Sequence, residues 1–196
     1  MNPDKEHNAL IRKKIKHQRS ALSKQQLAIA HKQLGLQLRQ HLAFFKAKKI
    51  ASYIPCNGEI SPIDIHKHIN QATYFLPRIS HLHSAKMAFY PLTNPRIKNH
   101  YGITEPLASG TPIPLNTCDI ILVPLVAFDR QGNRIGMGAG FYDRALSFKQ
   151  TTQNIKRPIL LGLAHDFQEV NKISAQSWDI PLDAILTNRE LIKINL

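Results

Sequence analysis

Cysteine is scarce in this chain: Cys56 and Cys118 are the only two among 196 residues, and they form no CxxC pair. Two lone cysteines exclude a disulfide-stapled scaffold and fit a reducing compartment, so a cytoplasmic location is expected. Long apolar runs are missing as well. None approaches the ~18 residues that a membrane span needs, and the polar N-terminal stretch lacks a signal-peptide core, so no membrane partner is expected. Tryptophan occurs once, and Trp178 reads as a core residue. Acidic residues are few: 13 Asp and Glu stand against 26 Lys and Arg, a net charge of +13. The excess is concentrated in residues 1–50, where twelve basic side chains face only Asp4 and Glu6. Such a basic arm can neutralise nucleic-acid phosphates. The usual readers are absent, however: there is no zinc-finger spacing, aromatic RNA-binding signature or basic-zipper heptad. Its alternative is a solvated helix face that concentrates anionic ligands. At 43% hydrophobic and 20% charged residues the chain is expected to fold, and its length suits one domain, 1–196, read as a monomer.

Glycine is also sparse, nine in all, yet Gly136, Gly138 and Gly140 fall at alternate positions within residues 132–144, GNRIGMGAGFYDR. Spaced this way, glycines leave backbone N–H groups unshielded, so they can converge on an anion. The apolar run Ile120, Ile121, Leu122 and Val123 upstream reads as a buried strand, and a helix is expected from Phe141. The loop would then open onto a helix N-terminus, which favours phosphate. Arg134 supplies a cation before the loop, and Asp143 a carboxylate where a magnesium ion bridging phosphates could sit. No Lys-Ser or Lys-Thr follows the last glycine, which excludes a Walker A loop. The glycines also start too far past the strand, and lack the later third glycine, for a dinucleotide fingerprint. A purely structural strand-to-helix turn is the other reading.

Around the loop the pattern alternates helix and strand. A basic first helix begins at Pro3 with Asn2 as cap; Ile11 and Ile15 form its apolar face, while Arg12, Lys13, Lys14, Lys16 and Arg19 crowd the rest. Ser23 and Gln26 make a capping box for a second helix with the stripe Leu27, Ala30, Leu34, Leu38, Leu42 and Phe45, closing a helical arm over about 3–46. Strands are expected at 50–54, 73–76, 87–90, 120–126, 159–163 and 184–186, with helices at 61–69 and 141–150. This predicts a single three-layer α/β domain with a mainly parallel sheet flanked by helices. Residues 93–119, rich in Pro and Gly, are expected to be a lid or pocket wall. Glu59 lies just past the 50–54 strand, where open parallel sheets collect ligands, or else is an exposed turn residue. The pairs His66/His68 and His81/His83 lack a third ligand for zinc. His165 is a pocket residue or a cap.

The block at 123–144, VPLVAFDRQGNRIGMGAGFYDR, resembles the signature of the 5-formyltetrahydrofolate cyclo-ligase family, also called methenyltetrahydrofolate synthetases. The resemblance extends in order through 54–59 (IPCNGE), Leu76-Pro77-Arg78, 101–106 (YGITEP), 162–166 (GLAHD) and 178–183 (WDIPLD). It implies ATP- and Mg²⁺-dependent cyclisation of 5-formyltetrahydrofolate to 5,10-methenyltetrahydrofolate, with ADP and phosphate released. ATP would be a co-substrate, held by Arg12, Arg134, Ile135, Gly136, Met137, Gly138, Ala139, Gly140, Phe141 and Tyr142. The reduced folate would meet Ile54, Glu59, Met137, Phe141 and Tyr142, and Mg²⁺ would sit on Asp143 and Asp179. One departure falls on the first helix: the family commonly pairs a lysine with the arginine four residues on, and here Asn8 precedes Arg12. A non-catalytic folate binder and a nucleic-acid binder using the basic arm are the alternative functions.

Overall fold

The computed structural model describes residues 3–41, 46–81, 86–99, 102, 104–151 and 158–196. Asn2, Leu42, Phe45, His83, Tyr101 and Ile103, named above, lie outside this set. The chain opens with α1 (Pro3–Ser20) and α2 (Lys24–Gln40). The Ser23 hydroxyl accepts from the Gln26 N–H and the Gln26 side chain accepts from the Ser23 N–H, the reciprocal box expected at that start. After β1 (Lys49–Ala51) come α3 (Ile63–His68), β2 (Thr73–His81) and β3 (Lys86–Pro91). A small ribbon of β4 (Arg96–Lys98) and β5 (Thr104–Pro106) precedes the central strand β6 (Ile120–Pro124). A second ribbon, β7 (Ala127–Phe128) with β8 (Arg134–Ile135), leads to α4 (Phe141–Ala145) and α5 (Phe148–Thr151). The chain closes with β9 (Ile159–Ala164), β10 (Ala184–Thr187) and β11 (Leu191–Lys193).

The main sheet runs β11-β10-β9-β6-β1-β2-β3. The strands from β10 to β2 are mutually parallel, and the edge strands β11 and β3 each join antiparallel. Period-2 alternation divides the core. Ile120 and Leu122 of β6 face α2 and α3 with Leu34, Leu38 and Ile65, whereas Ile121 and Val123 face Leu146 and Tyr142 on the opposite side. Covering both faces explains why β6 reads as an unbroken apolar run. The result is the three-layer, mainly parallel α/β arrangement expected. A third cluster, Ile15, Val126, Ala127, Ile135 and Ile173, seats α1 on the β7–β8 ribbon.

Several sequence expectations are corrected. The helix expected at 141–150 is two short pieces, α4 and α5, so the glycine loop ends at a single helical turn and gains little macrodipole. The strand expected at 50–54 ends at Ala51, freeing Tyr53 and Ile54 for the loop beyond it. The strand expected through Val126 stops at Pro124, whose missing N–H cannot continue a ladder. The 93–119 stretch, read as one long loop, holds the β4–β5 ribbon, where Glu105 is buried and ion-pairs with Arg78 at 3.6 Å. Trp178 is 58% exposed and takes no part in the core. Arg19, read as one of the solvated basic residues, is 1% exposed.

Candidate active site

In the sheet order, the chain leaves β1 toward β2 on one side and β6 toward β9 on the other. A crevice opens between the carboxyl ends of such strands, where connections diverge. The turn at 56–59 follows β1, and the ribbon carrying the glycine loop follows β6, so both candidate segments meet at this crevice.

The glycine loop is positioned from both sides. Arg134, at the start of β8, has only 5% of its side chain exposed; Nη1 donates to the Ile180 carbonyl and Nη2 pairs with Asp143 Oδ1. Burial pulls this guanidinium below its ordinary value, and the carboxylates of Asp143 and Asp179 oppose that pull. Asp143 and Asp179 thus converge on one cation from distant segments. Among the described residues each is hydrogen-bonded through one oxygen, Asp143 by Arg134 and Asp179 by the Gln176 N–H at 2.8 Å, so each has a second oxygen to offer. From α1, Arg12 Nε donates to the Gly136 carbonyl at 2.9 Å. Arg144 closes the far end by donating to the Ala139 carbonyl. Gly138 and Gly140 have φ of +106° and +66°, in the left-handed region that disfavours side chains. A Cβ built at Gly136 would meet nothing within 4 Å, and one at Gly138 only the Arg12 guanidinium carbon at 4.0 Å. The loop is therefore an open cradle edged by three arginines, with Met137 at its exposed crest. Ile135 differs from its neighbours: its side chain packs in the core beside Ile15, and its carbonyl accepts from the Val126 N–H at 2.7 Å.

The opposite wall is built on the 56–59 turn. Asn57 and Gly58 both have positive φ, and a Cβ at Gly58 would come within 2.7 Å of the Arg19 carbonyl oxygen. Glu59 Oε2 accepts from the Cys56 N–H at 3.0 Å and from its Sγ–H at 3.6 Å, while Oε1 faces Arg19 Nη2 at 3.8 Å. Burial raises the Glu59 carboxyl, and the Cys56 N–H and Arg19 oppose the rise. The Cys56 thiol is pushed up to about 11 by burial and by Glu59. Tyr142 of α4 reaches this wall from the loop side. Its hydroxyl is buried with no hydrogen-bond partner, and burial together with Glu59 holds it well above the ordinary tyrosine value. A buried orphan hydroxyl costs stability unless something satisfies it, which marks this wall as a place for a ligand. Ile54 and Phe141 are both half-buried.

The sequence did not single out every participant. Arg19 was hidden among basic residues, although its spacing from Arg12 and Ile15 places all three on one helix face. His165 takes the capping role, its backbone N–H donating to Gln168 Oε1 at 2.8 Å, and its Nε2 donates to the Gly58 carbonyl at 3.0 Å. Asn8 donates to the Ser174 carbonyl at 3.0 Å. His66 is engaged with Ser52 Oγ at 2.8 Å, and no metal-holding group of three or more His, Cys, Asp or Glu occurs among the described residues.

A glycine loop, convergent arginines and paired carboxylates lie at the divergence point of an open α/β sheet, the place where proteins of this class bind their ligands. The sequence profile of the 5-formyltetrahydrofolate cyclo-ligase family matches residues 4–188, and the chain belongs to that family. It is 40% identical over 146 residues to the 5-formyltetrahydrofolate cyclo-ligase of Haemophilus influenzae, covering 72% of this chain and 76% of that one. Against the cyclo-ligase of Escherichia coli K12 it is 32% identical over 179 residues, covering 88% and 96%. The solution structure of Aquifex aeolicus 5,10-methenyltetrahydrofolate synthetase superposes with a TM-score of 0.79 at 28% identity, covering 96% of this chain and 93% of that one.

Proposed function

We propose that this protein is a 5-formyltetrahydrofolate cyclo-ligase, converting 5-formyltetrahydrofolate and ATP to 5,10-methenyltetrahydrofolate, ADP and phosphate. The observation that carries the reading is the facing of two half-sites across one crevice. The glycine cradle with Arg134, Asp143 and Asp179 lies on one side, and Glu59 with the unpartnered Tyr142 hydroxyl on the other. A formamide oxygen is a poor leaving group. It attacks the γ-phosphorus and displaces ADP, the N10 amine then adds to the activated formyl carbon, and phosphate departs as N10 loses its proton. Such a transfer depends on positioning and charge neutralisation more than on an acid–base pair.

In this reading the open amides from Gly136 to Gly140, with Arg12 and Arg134, hold the nucleotide phosphates. Glu59, Ile54, Phe141 and Tyr142 hold the reduced pterin, and Met137 covers the junction between the two. Mg²⁺ takes one or two carboxylates plus phosphate oxygens and waters, and the free oxygens of Asp143 and Asp179 fit that demand. When bound it would neutralise phosphate charge. A monomer acting in the cytosol is consistent with this role, and among the described residues no helix is long and apolar enough to cross a membrane.

The test is the absorbance of the methenyl product, followed with and without ATP and with and without Mg²⁺. Product is expected only when both are present. Turnover at full rate without ATP refutes the ligase reading, and tight folate binding without turnover under any condition would mark a binding protein instead.

A further inference from the structure

The basic residues of α1 meet two different fates. Lys13, Lys14 and Lys16 are exposed, whereas Arg19 is buried. Residues 8, 12, 15 and 19 follow helical 3–4 spacing and share one face. Each meets a different part of the molecule: Asn8 the Ser174 carbonyl, Arg12 the Gly136 carbonyl, Ile15 the apolar cluster under β7 and β8, and Arg19 the 56–59 turn. Arg19 Nε donates to the Asn57 carbonyl at 3.0 Å and Nη1 to the Leu125 carbonyl at 3.1 Å. Nη2 makes no hydrogen bond and faces Glu59 Oε1 at 3.8 Å. The two carbonyls thus fix where the guanidinium sits, and Glu59 balances its charge; without that balance the burial would be costly.

We propose that Arg19 is the positioning residue for Glu59, clamping the 56–59 turn to the end of β6 and keeping the Glu59 carboxylate an acceptor for the N–H groups of a reduced pterin. α1 thereby serves both co-substrates, the nucleotide through Arg12 and the folate through Arg19. The inference rests on Glu59 belonging to the folate pocket. A protonated carboxyl replaces an acceptor site with an O–H donor, which would oppose a pterin N–H. Burial drives Glu59 toward that form, and Arg19 resists it. Among the described residues the other ionisable groups facing Glu59 are Tyr53 in the loop after β1, Cys56 in its own turn and Tyr142 of α4; all are shifted upward by burial and stay neutral near pH 7.

The experiment measures steady-state constants and pH profiles for wild type, R19M, R19K, E59Q and the doubles R19M/E59Q and R19K/E59Q, each beside a thermal melt. R19M is expected to raise the folate KM roughly tenfold or more, with kcat little changed and the ATP KM within about twofold. It should also move the acid limb of folate binding to higher pH. R19K keeps the charge but loses the planar fork, so it should restore the pH limb and only part of the affinity. On the E59Q background either change should add little. Full additivity with E59Q would overturn the proposal while leaving Glu59 in the pocket. A wild-type folate KM in E59Q would remove Glu59 from the pocket, and the proposal with it. If R19M does not fold, R19K against E59Q decides.

Discussion

Gly138 runs at a φ of +106° with no heavy atom other than the Arg12 guanidinium carbon near its missing Cβ. Space is therefore not what excludes a side chain in the free protein; backbone conformation and the approach of a ligand are. Gly138→Val is expected to fold, at a cost of about 1–3 kcal/mol for the strained backbone, and to lose nucleotide affinity. Calorimetry with ATP beside a melt checks it, and unchanged affinity would reduce the loop to a structural turn. Tyr142 makes the converse case. Its buried hydroxyl has no partner, so Tyr142→Phe should leave the melting temperature unchanged or raise it. Folate affinity should fall by ~0.5–1.5 kcal/mol if the pterin supplies the missing hydrogen bond. A loss of stability without a change in folate KM would show instead that the hydroxyl serves the fold.

At the scale of elements, α1 separates a site residue from diffuse charge. Arg12 bonds to the Gly136 carbonyl, whereas Lys13 and Lys14 point to solvent. Arg12→Ala should weaken ATP binding by ~1.5–3 kcal/mol, with Lys13→Ala and Lys14→Ala nearly silent. Equal losses from all three, erased by salt, would reduce the helix to an anion attractor. Asn8 donates to the Ser174 carbonyl, so the position where the family resemblance leads one to expect a lysine is tied to the protein itself. α4 and α5 show where periodicity misleads. Apolar residues recur at helical spacing from Phe141 through Ala145 to Phe148, yet the helix breaks after Ala145, and Leu146 at the break is buried in the core.

Across the whole molecule, acid should be the weak side. His31, His66 and His165 are all held below their ordinary 6.5 by burial, His66 to about 4. The unfolded chain therefore binds more protons than the folded one between about pH 4 and 6.5, and stability rises with pH through that window. The melting temperature should fall as pH drops from 6.5 toward 4, and His66→Gln should flatten part of the slope. A melting curve unaffected by pH in this range would mean that these imidazoles are not neutral in the fold. For His31 a bond adds to the effect of burial: its Nε2 accepts the Ser61 N–H at 3.1 Å, which an imidazolium cannot do.

Local pattern alone determined the capping box at Ser23, the buried β6 run, the glycine cradle and the α/β class, because each is written in residues close together in the chain. The family signature at 123–144 is legible for the same reason: it is one contiguous order of glycines and charges. Tertiary structure alone decided which basic residues of α1 turn inward, since helical spacing defines a face but not what that face meets. It also decided that Trp178 stays outside, and that Asp143 and Asp179 converge on Arg134 across 36 positions of sequence. The pairing of Arg19 with Glu59 belongs there too. A charge is buried only when a partner from elsewhere arrives to balance it, and that meeting is a property of the packed sheet and helix together.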